Sequence, residues 1–456
     1  MRKKQSREVY EKPTIVRTLL RAANKYAGHS FVSGAFAAVD GVPVRDLLKR
    51  YGSPLYAVSE KTLRRRIREF LRAFRSLHPQ TVVAYSYKTN HLMGICAILR
   101  AEGAWAEVTS GFEYDLARRL GIPGRQIVFN GPYKEPEALR RAIREGARVN
   151  IDSLEEVFFL EETVPRSRPP LKVGVRVNMN LHYPPWDKFG FHLESGQAWE
   201  ACQRIHASGR LKVAGLHIHA GTYLTDPGIY RQAMAGLVGL ALQVEKFLDG
   251  RIEYLDLGGG YASANAPHSQ ILPGETTCPT FEQYAEGALA PLLGQMGRFR
   301  RKPLLILEPG RALVDESMVL LTTVVSTKRL GNGLKGVVVD AGVNLLPTSY
   351  YFRHELAAAE NLELTSEEVN IYGPLCMQLD TLRLGVRLPP LQKGSVIVVK
   401  NVGAYNFAHS LQFIFPRPAV VLVKDGKTDL LFQAESGDDL LRLHRLPRHL
   451  AKCRPS

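Results

Sequence analysis

The amino-acid sequence predicts an α/β chain, a (β/α)8 TIM-like barrel followed by a mostly antiparallel β domain, and three observations predict it. Eight short apolar runs, at 82–88, 104–110, 126–131, 148–153, 172–178, 213–220, 253–258 and 303–308, alternate with amphipathic stretches at helical spacing. They occupy ~230 residues, the usual size of one such barrel, with an open doubly wound sheet as the alternative. After Val314 the pattern changes: 319–326, 336–340, 395–400, 419–424 and 428–432 are rich in β-branched residues, broken by turns and free of helical period. A length of 456 residues accommodates both units, divided into a 1–30 N-terminal extension, a 31–54 segment joining the β domain, a 55–315 barrel and a 316–456 β domain.

The elements follow in order. Residues 1–30 are basic, and 15–22 have the spacing of a short helix. The run 35–39 leads into Asp40-Gly41, a turn pair that predicts a hairpin. A helix is expected over 46–51 and a strand over 54–58. Within 61–74, Leu63, Ile67, Phe70, Leu71 and Phe74 form one apolar helical face, and Arg64, Arg65, Arg68 and Arg72 lie off it. Further amphipathic helices are expected at 111–120, 135–145 and 229–248.

Composition excludes several classes of function. Hydrophobic content of 45% and charged content of 23% are those of a globular protein with a large core. The five cysteines are scattered, odd in number and without a Cys-x-x-Cys pair, which argues for a reducing compartment and against a disulfide framework or a structural zinc site. No apolar run follows the charged start as a secretory signal would require. The longest nearly apolar run, 233–244, is too short to span a bilayer, so a cytoplasmic location without membrane contact is expected. The net charge of +16, from 60 Lys and Arg against 44 Asp and Glu, favours an anionic partner. Aromatic residues are not interleaved with the basic ones as a base-stacking surface needs, so nucleic acid is not expected.

Polar groups gather where the expected barrel strands end, the edge at which ligands bind in parallel α/β folds. The first run ends at Lys88, which read alone is a solvated lysine or, shielded from water, an amine able to form a Schiff base with an aldehyde. The sixth ends in His217-Ile218-His219, a pair more often found as packed core, with no third ligand at metal spacing, so no metal is expected. The seventh ends in Gly258, Gly259 and Gly260, an ordinary turn or a loop whose N–H groups approach a phosphate. The eighth ends in Glu308-Pro309-Gly310-Arg311, a surface ion pair or an acid and a guanidinium at the same mouth. Lysine, glycine loop, ring-stacking histidine and acid are together what pyridoxal 5'-phosphate needs.

The chain resembles the pyridoxal-phosphate decarboxylases of the alanine-racemase-like fold, in the branch of diaminopimelate and eukaryotic-type ornithine decarboxylases. The likeness runs from about 35 to 440 and rests on Tyr85-Ser86-Tyr87-Lys88-Thr89-Asn90, the segment 107–113, Lys188-Phe189-Gly190, His217 to Thr222, Leu255 to Gly260, Glu308 to Arg311, Val339-Asp340-Ala341-Gly342, Gly373 to Asp380 and Gly403-Ala404-Tyr405. It implies that Lys88 holds the cofactor and His219 stacks on its ring. Thr222, Gly258, Gly259, Gly260, Arg311 and Tyr405 are implied at its phosphate, and Glu308 at the ring nitrogen, where it favours decarboxylation over racemisation. It further implies that Arg311, Cys376, Met377, Asp380 and Tyr350 meet the substrate, with Cys376 as a candidate acid. Cys376 and Asp380 would reach into a neighbouring subunit, giving a homodimer with shared active sites.

The substrate end departs from this pattern. Where the family resembles itself in placing an acid after the cysteine to hold a distal ammonium, this chain has Met377. The segment 344–351 lacks the family's distal-carboxylate arginine, and Arg353 stands nearby. An unpaired buried ammonium costs several kcal/mol. The expected substrate is therefore a modified, citrate-linked or carrier-bound amino acid, the last implying an acidic acyl-carrier protein as partner. The alternatives are diaminopimelate decarboxylase itself, a catalytically silent binding relative and, third, a racemase.

Overall fold

The eight expected runs close into a ring in the computed structural model, which describes residues 35–165, 169–181, 186–248, 250–360 and 366–450. The expected 1–30 extension and the helix expected at 15–22 lie outside the described residues. The barrel strands are β1 (Thr81–Ser86), β2 (Trp105–Val108), β3 (Ile127–Phe129), β4 (Arg148–Ile151), β5 (Leu171–Asn178), β6 (Leu211–Ile218), β7 (Tyr254–Asp256) and β8 (Leu304–Leu307). Each pairs in parallel with the next, and β8 pairs with β1, so the sheet is a closed barrel and not an open one.

Period-two alternation sorts the side chains of these strands. Ala84, Val128, Tyr254 and Ile306 form one small buried cluster. Their neighbours two residues further on, Ser86, Asn130, Asp256 and Glu308, are polar and also buried. The barrel is thus apolar inside and polar toward its carboxyl mouth. A side chain at Gly215 would collide with the ring of Tyr254, which fills the space there. Amphipathic helices cover the outside, including Glu60–Leu77, Gly111–Arg119, Pro136–Arg144 and Pro227–Phe247. The first starts where the Ser59 hydroxyl caps the Thr62 N–H and buries Leu63, Ile67, Phe70 and Phe74.

The second unit is built on the long strand β9 (Met318–Arg329). Its first half pairs antiparallel with Val396–Val399 and Leu55–Ser59, and its second half with Lys335–Val339. The sheet is mostly antiparallel, with parallel pairings of Lys335–Val339 to Glu367–Tyr372 and of Leu55–Ser59 to Val420–Lys424. Leu55–Ser59 therefore belongs to this sheet, although the sequence places residue 55 at the start of the barrel. All five of its residues are buried, so its apolar run reads like a barrel strand. The hairpin forms between Ala38–Val39 and Val42–Pro43, with Asp40 and Gly41 at φ 42° and 85°. Two strands the sequence did not reveal, Glu367–Tyr372 and Thr381–Leu388, carry charges at several positions that hide the apolar alternation. Cys96, Cys202, Cys278 and Cys376 are free thiols. No described helix is long and apolar enough to cross a membrane.

Candidate active site

Strand β1 stops at Ser86, and one 3-10 turn, Tyr87–Thr89, sets Lys88 over the mouth. Its Nζ lies 2.5 Å from Glu107 Oε2 at the end of β2, and that oxygen also accepts the Ser86 hydroxyl at 2.5 Å. Asn130, just beyond β3, donates to Glu107 Oε1 at 3.2 Å and to Glu308 Oε1 at 2.6 Å. Its own oxygen accepts from Asn150 at 2.8 Å, and Asn150 accepts the Tyr254 hydroxyl at 2.8 Å. A hydrogen-bonded line thus runs from the barrel interior to the lysine. Burial by itself favours the neutral amine, the state expected of a shielded Schiff-base lysine. Glu107 first, then Tyr405 and Glu308, outweigh it and raise the amine, so the lysine is held charged in the chain alone.

The opposite wall carries the ring-binding groups. His219 accepts the Gly259 N–H on Nδ1 at 3.0 Å and meets the Trp186 ring edge-on at 5.2 Å. Burial, and then the Lys88 charge, push its imidazole well below its usual value, so it is a neutral ring. Glu308 is buried; burial would raise it, but His217, with Nε2 at 3.4 Å, and Lys88 pull it below the usual carboxylate range.

At one end of the cavity the chain exposes its own backbone. Gly258 and Gly260 sit at φ 62° and 95°, and a side chain on Gly259 would come within 2.5 Å of the Glu308 carbonyl. The Arg311 guanidinium lies over the rings of Phe352, Tyr405 and Tyr223 at 4.7, 5.1 and 5.9 Å. Among the described residues its buried Nη1 has no hydrogen bond, and Asp315 lies 3.7 Å from it. A glycine cradle, an arginine with one buried nitrogen lacking a hydrogen bond, a neutral imidazole, a buried acid and an amine line one cavity with Thr222 and Tyr405. They fit pyridoxal phosphate part by part: an anion, an aromatic ring, a ring nitrogen and an aldehyde.

Of the residues expected at the site, Lys88, His219, Thr222, Gly259, Gly260, Glu308, Arg311 and Tyr405 line this cavity, and Gly258 enters through its N–H bond to Asp256. Cys376, Met377, Asp380 and Tyr350 do not line it. Asp380 differs from its expected outward role: its two oxygens accept the N–H groups of Val343 and Leu375 at 2.8 and 2.7 Å, so it ties down its own loop. Cys376 is exposed and Tyr350 is 48% exposed, while Met377 packs partly against the core. Sequence reasoning missed Ser86, Thr89, Tyr223, Tyr261 and Gly310 in the lining and gave Glu107 and Asn130 no role. Asn130 could have been found, because it too stands at the carboxyl end of an apolar run.

The family model for the pyridoxal-dependent decarboxylase, pyridoxal binding domain, matches residues 61–315. The chain is 30% identical over 438 residues to the diaminopimelate decarboxylase of Methanothermobacter thermautotrophicus, covering 93% of this chain and 97% of the relative. It is 32% identical over 418 residues to that of Actinosynnema pretiosum subsp. auranticum, covering 88% and 91%. Its structure is similar to that of diaminopimelate decarboxylase from M. jannaschii, with a TM-score of 0.84 at 28% identity, covering 92% of this chain and 98% of the other.

Proposed function

The chain belongs to the pyridoxal-dependent decarboxylases, carboxy-lyases whose cofactor is pyridoxal 5'-phosphate, and from that premise we propose that its substrate is an α-amino acid with a second carboxylate, meso-diaminopimelate being the first candidate. The likeness to diaminopimelate decarboxylases over about nine-tenths of the chain carries this reading. Arg353 and Arg383 add to it. Both are half-buried, each has a buried nitrogen without a hydrogen bond, and Arg383 is destabilised by burial and by Arg353. A distal carboxylate would neutralise them.

When bound, the cofactor supplies a sink for the electron pair left as carbon dioxide departs. The chain's own residues would then do the following. Lys88 would hold the cofactor through its amine, His219 would lie against the ring, and Glu308 would keep a proton on the ring nitrogen. The glycine loop, Thr222, Arg311 and Tyr405 would hold the phosphate. Cys376, presented outward, would return a proton to the α-carbon in the site of a second copy. Incubated with meso-diaminopimelate, the holoenzyme is expected to release carbon dioxide and lysine in equal amounts. Failure to form lysine would overturn this choice of substrate.

A second reading has one specific observation in its favour. Met377 offers no charge for a free distal ammonium beside Cys376, which favours a modified, citrate-linked or carrier-bound amino acid. Carbon dioxide release from such substrates, with none from diaminopimelate, would establish it.

A further inference from the structure

Asp256 and Glu308 stand two residues into the mouth from Tyr254 and Ile306, on paired strands or just past their ends. One oxygen of each and one imidazole nitrogen of His217 lie within 4.8 Å of one another, and all three residues are buried. Two carboxylates this close in a dry interior do not both stay ionised.

Their hydrogen bonds decide which keeps the charge. Glu308 receives the Asn130 amide at 2.6 Å and has His217 Nε2 at 3.4 Å. Among the described residues Asp256 accepts a single N–H, from Gly258 at 3.0 Å on Oδ1, while its buried Oδ2 accepts nothing. An oxygen with no donor, beside a carboxylate that receives an amide N–H and has an imidazole nitrogen close by, is where the one proton resides. Burial first and the Glu308 charge second hold the Asp256 carboxyl well above the ordinary range. The other titratable groups acting on the pair are His217, His219, Glu107, Lys88, Tyr254 and Tyr261, with Arg148 also acting on Asp256.

We propose that Asp256 is a positioning residue for the decarboxylation: as a neutral acid it donates the single proton of the pair from Oδ2 to Glu308, and so keeps Glu308 anionic and fixed for the cofactor's ring nitrogen. The pair then carries one negative charge, and neutralising Asp256 chemically removes nothing the reaction uses.

Asp256→Asn tests this, because the amide keeps an acceptor for Gly258 and a donor for Glu308 while lacking the titratable proton. In the holoenzyme, the visible absorbance band of the cofactor and its pH midpoint are expected to match wild type, with kcat and KM within about threefold. The melting temperature of the variant relative to wild type is expected to climb between about pH 5 and 8, because wild type must release the Asp256 proton on unfolding and the variant has none to release. Asp256→Leu, of similar size without a donor, should shift the midpoint of the band and lower kcat about tenfold with little change in KM. A melting-temperature difference that stays flat with pH, or an Asn variant with a displaced band, overturns the proposal even if the Leu variant fails to fold.

Discussion

The barrel mouth and the loop from Gly373 to Asp380 hold two dense clusters of site motifs, and they are finished to different degrees. At the mouth, Lys88, Glu107, Asn130 and Glu308 are joined to one another by hydrogen bonds, and His219 to the glycine loop, all within one chain. The loop is equally well held, by both oxygens of Asp380, but what it holds points away: Cys376 is exposed and Leu379 is 65% exposed. Rigidity spent on presenting a thiol and an apolar side chain to solvent makes structural sense if a second copy receives them. The residues proposed to hold the cofactor thus line one cavity of one chain, while the proposed return of a proton by Cys376 would need a second copy.

The comparison can be broken most severely at Lys88. Lys88→Ala is expected to abolish the cofactor's visible band and bring carbon dioxide release to background, since no other amine among the described residues lines the cavity. Cys376→Ala should leave the band intact and lower kcat about 10²-fold. Mixing the inactive Lys88→Ala and the impaired Cys376→Ala variants and reassorting their subunits should raise activity well above either alone if sites are shared. Silence in that mixture would place proton return within one chain.

Met377→Glu gives a smaller effect. It supplies the missing charge beside Cys376 and should lower KM for meso-diaminopimelate about tenfold, measured by lysine formation. If KM does not move, position 377 does not face the distal amine.

The smallest effect concerns pH. Because Lys88 is raised in the folded chain, its pairing with Glu107 stabilises fully below the ordinary lysine value and is lost only as the pH rises through the folded one. At neutral pH the amine is charged, so capture of free cofactor by the cofactor-free enzyme should quicken as pH rises from about 7 to 9. Glu107→Gln removes the largest charge favouring the cation and should speed capture at pH 7 roughly threefold to tenfold, read by stopped-flow absorbance.

Much of this was legible in the chain itself. Strand periodicity is local, so each of the eight apolar runs overlapped a barrel strand, and polar groups at their ends marked the ligand edge. Leu55–Ser59 shows the limit: a fully buried strand has the same local pattern in either sheet, and only its partners, Met318–Arg329 and Val420–Lys424, reveal where it belongs. Glu107 and Asn130 show another, since neither sits in a cluster of reactive residues along the sequence and each gains meaning only from Lys88 or Glu308.

By itself the sequence determined which residue types reach the mouth, because alternation and strand length place Lys88, His219, Gly259 and Glu308 at one edge wherever the barrel closes. Tertiary structure alone decided their ionisation, and with it their chemistry. Whether Lys88 is charged, His219 neutral, or Asp256 protonated depends on burial and on charges supplied by other strands, and those distances exist only once the ring is shut.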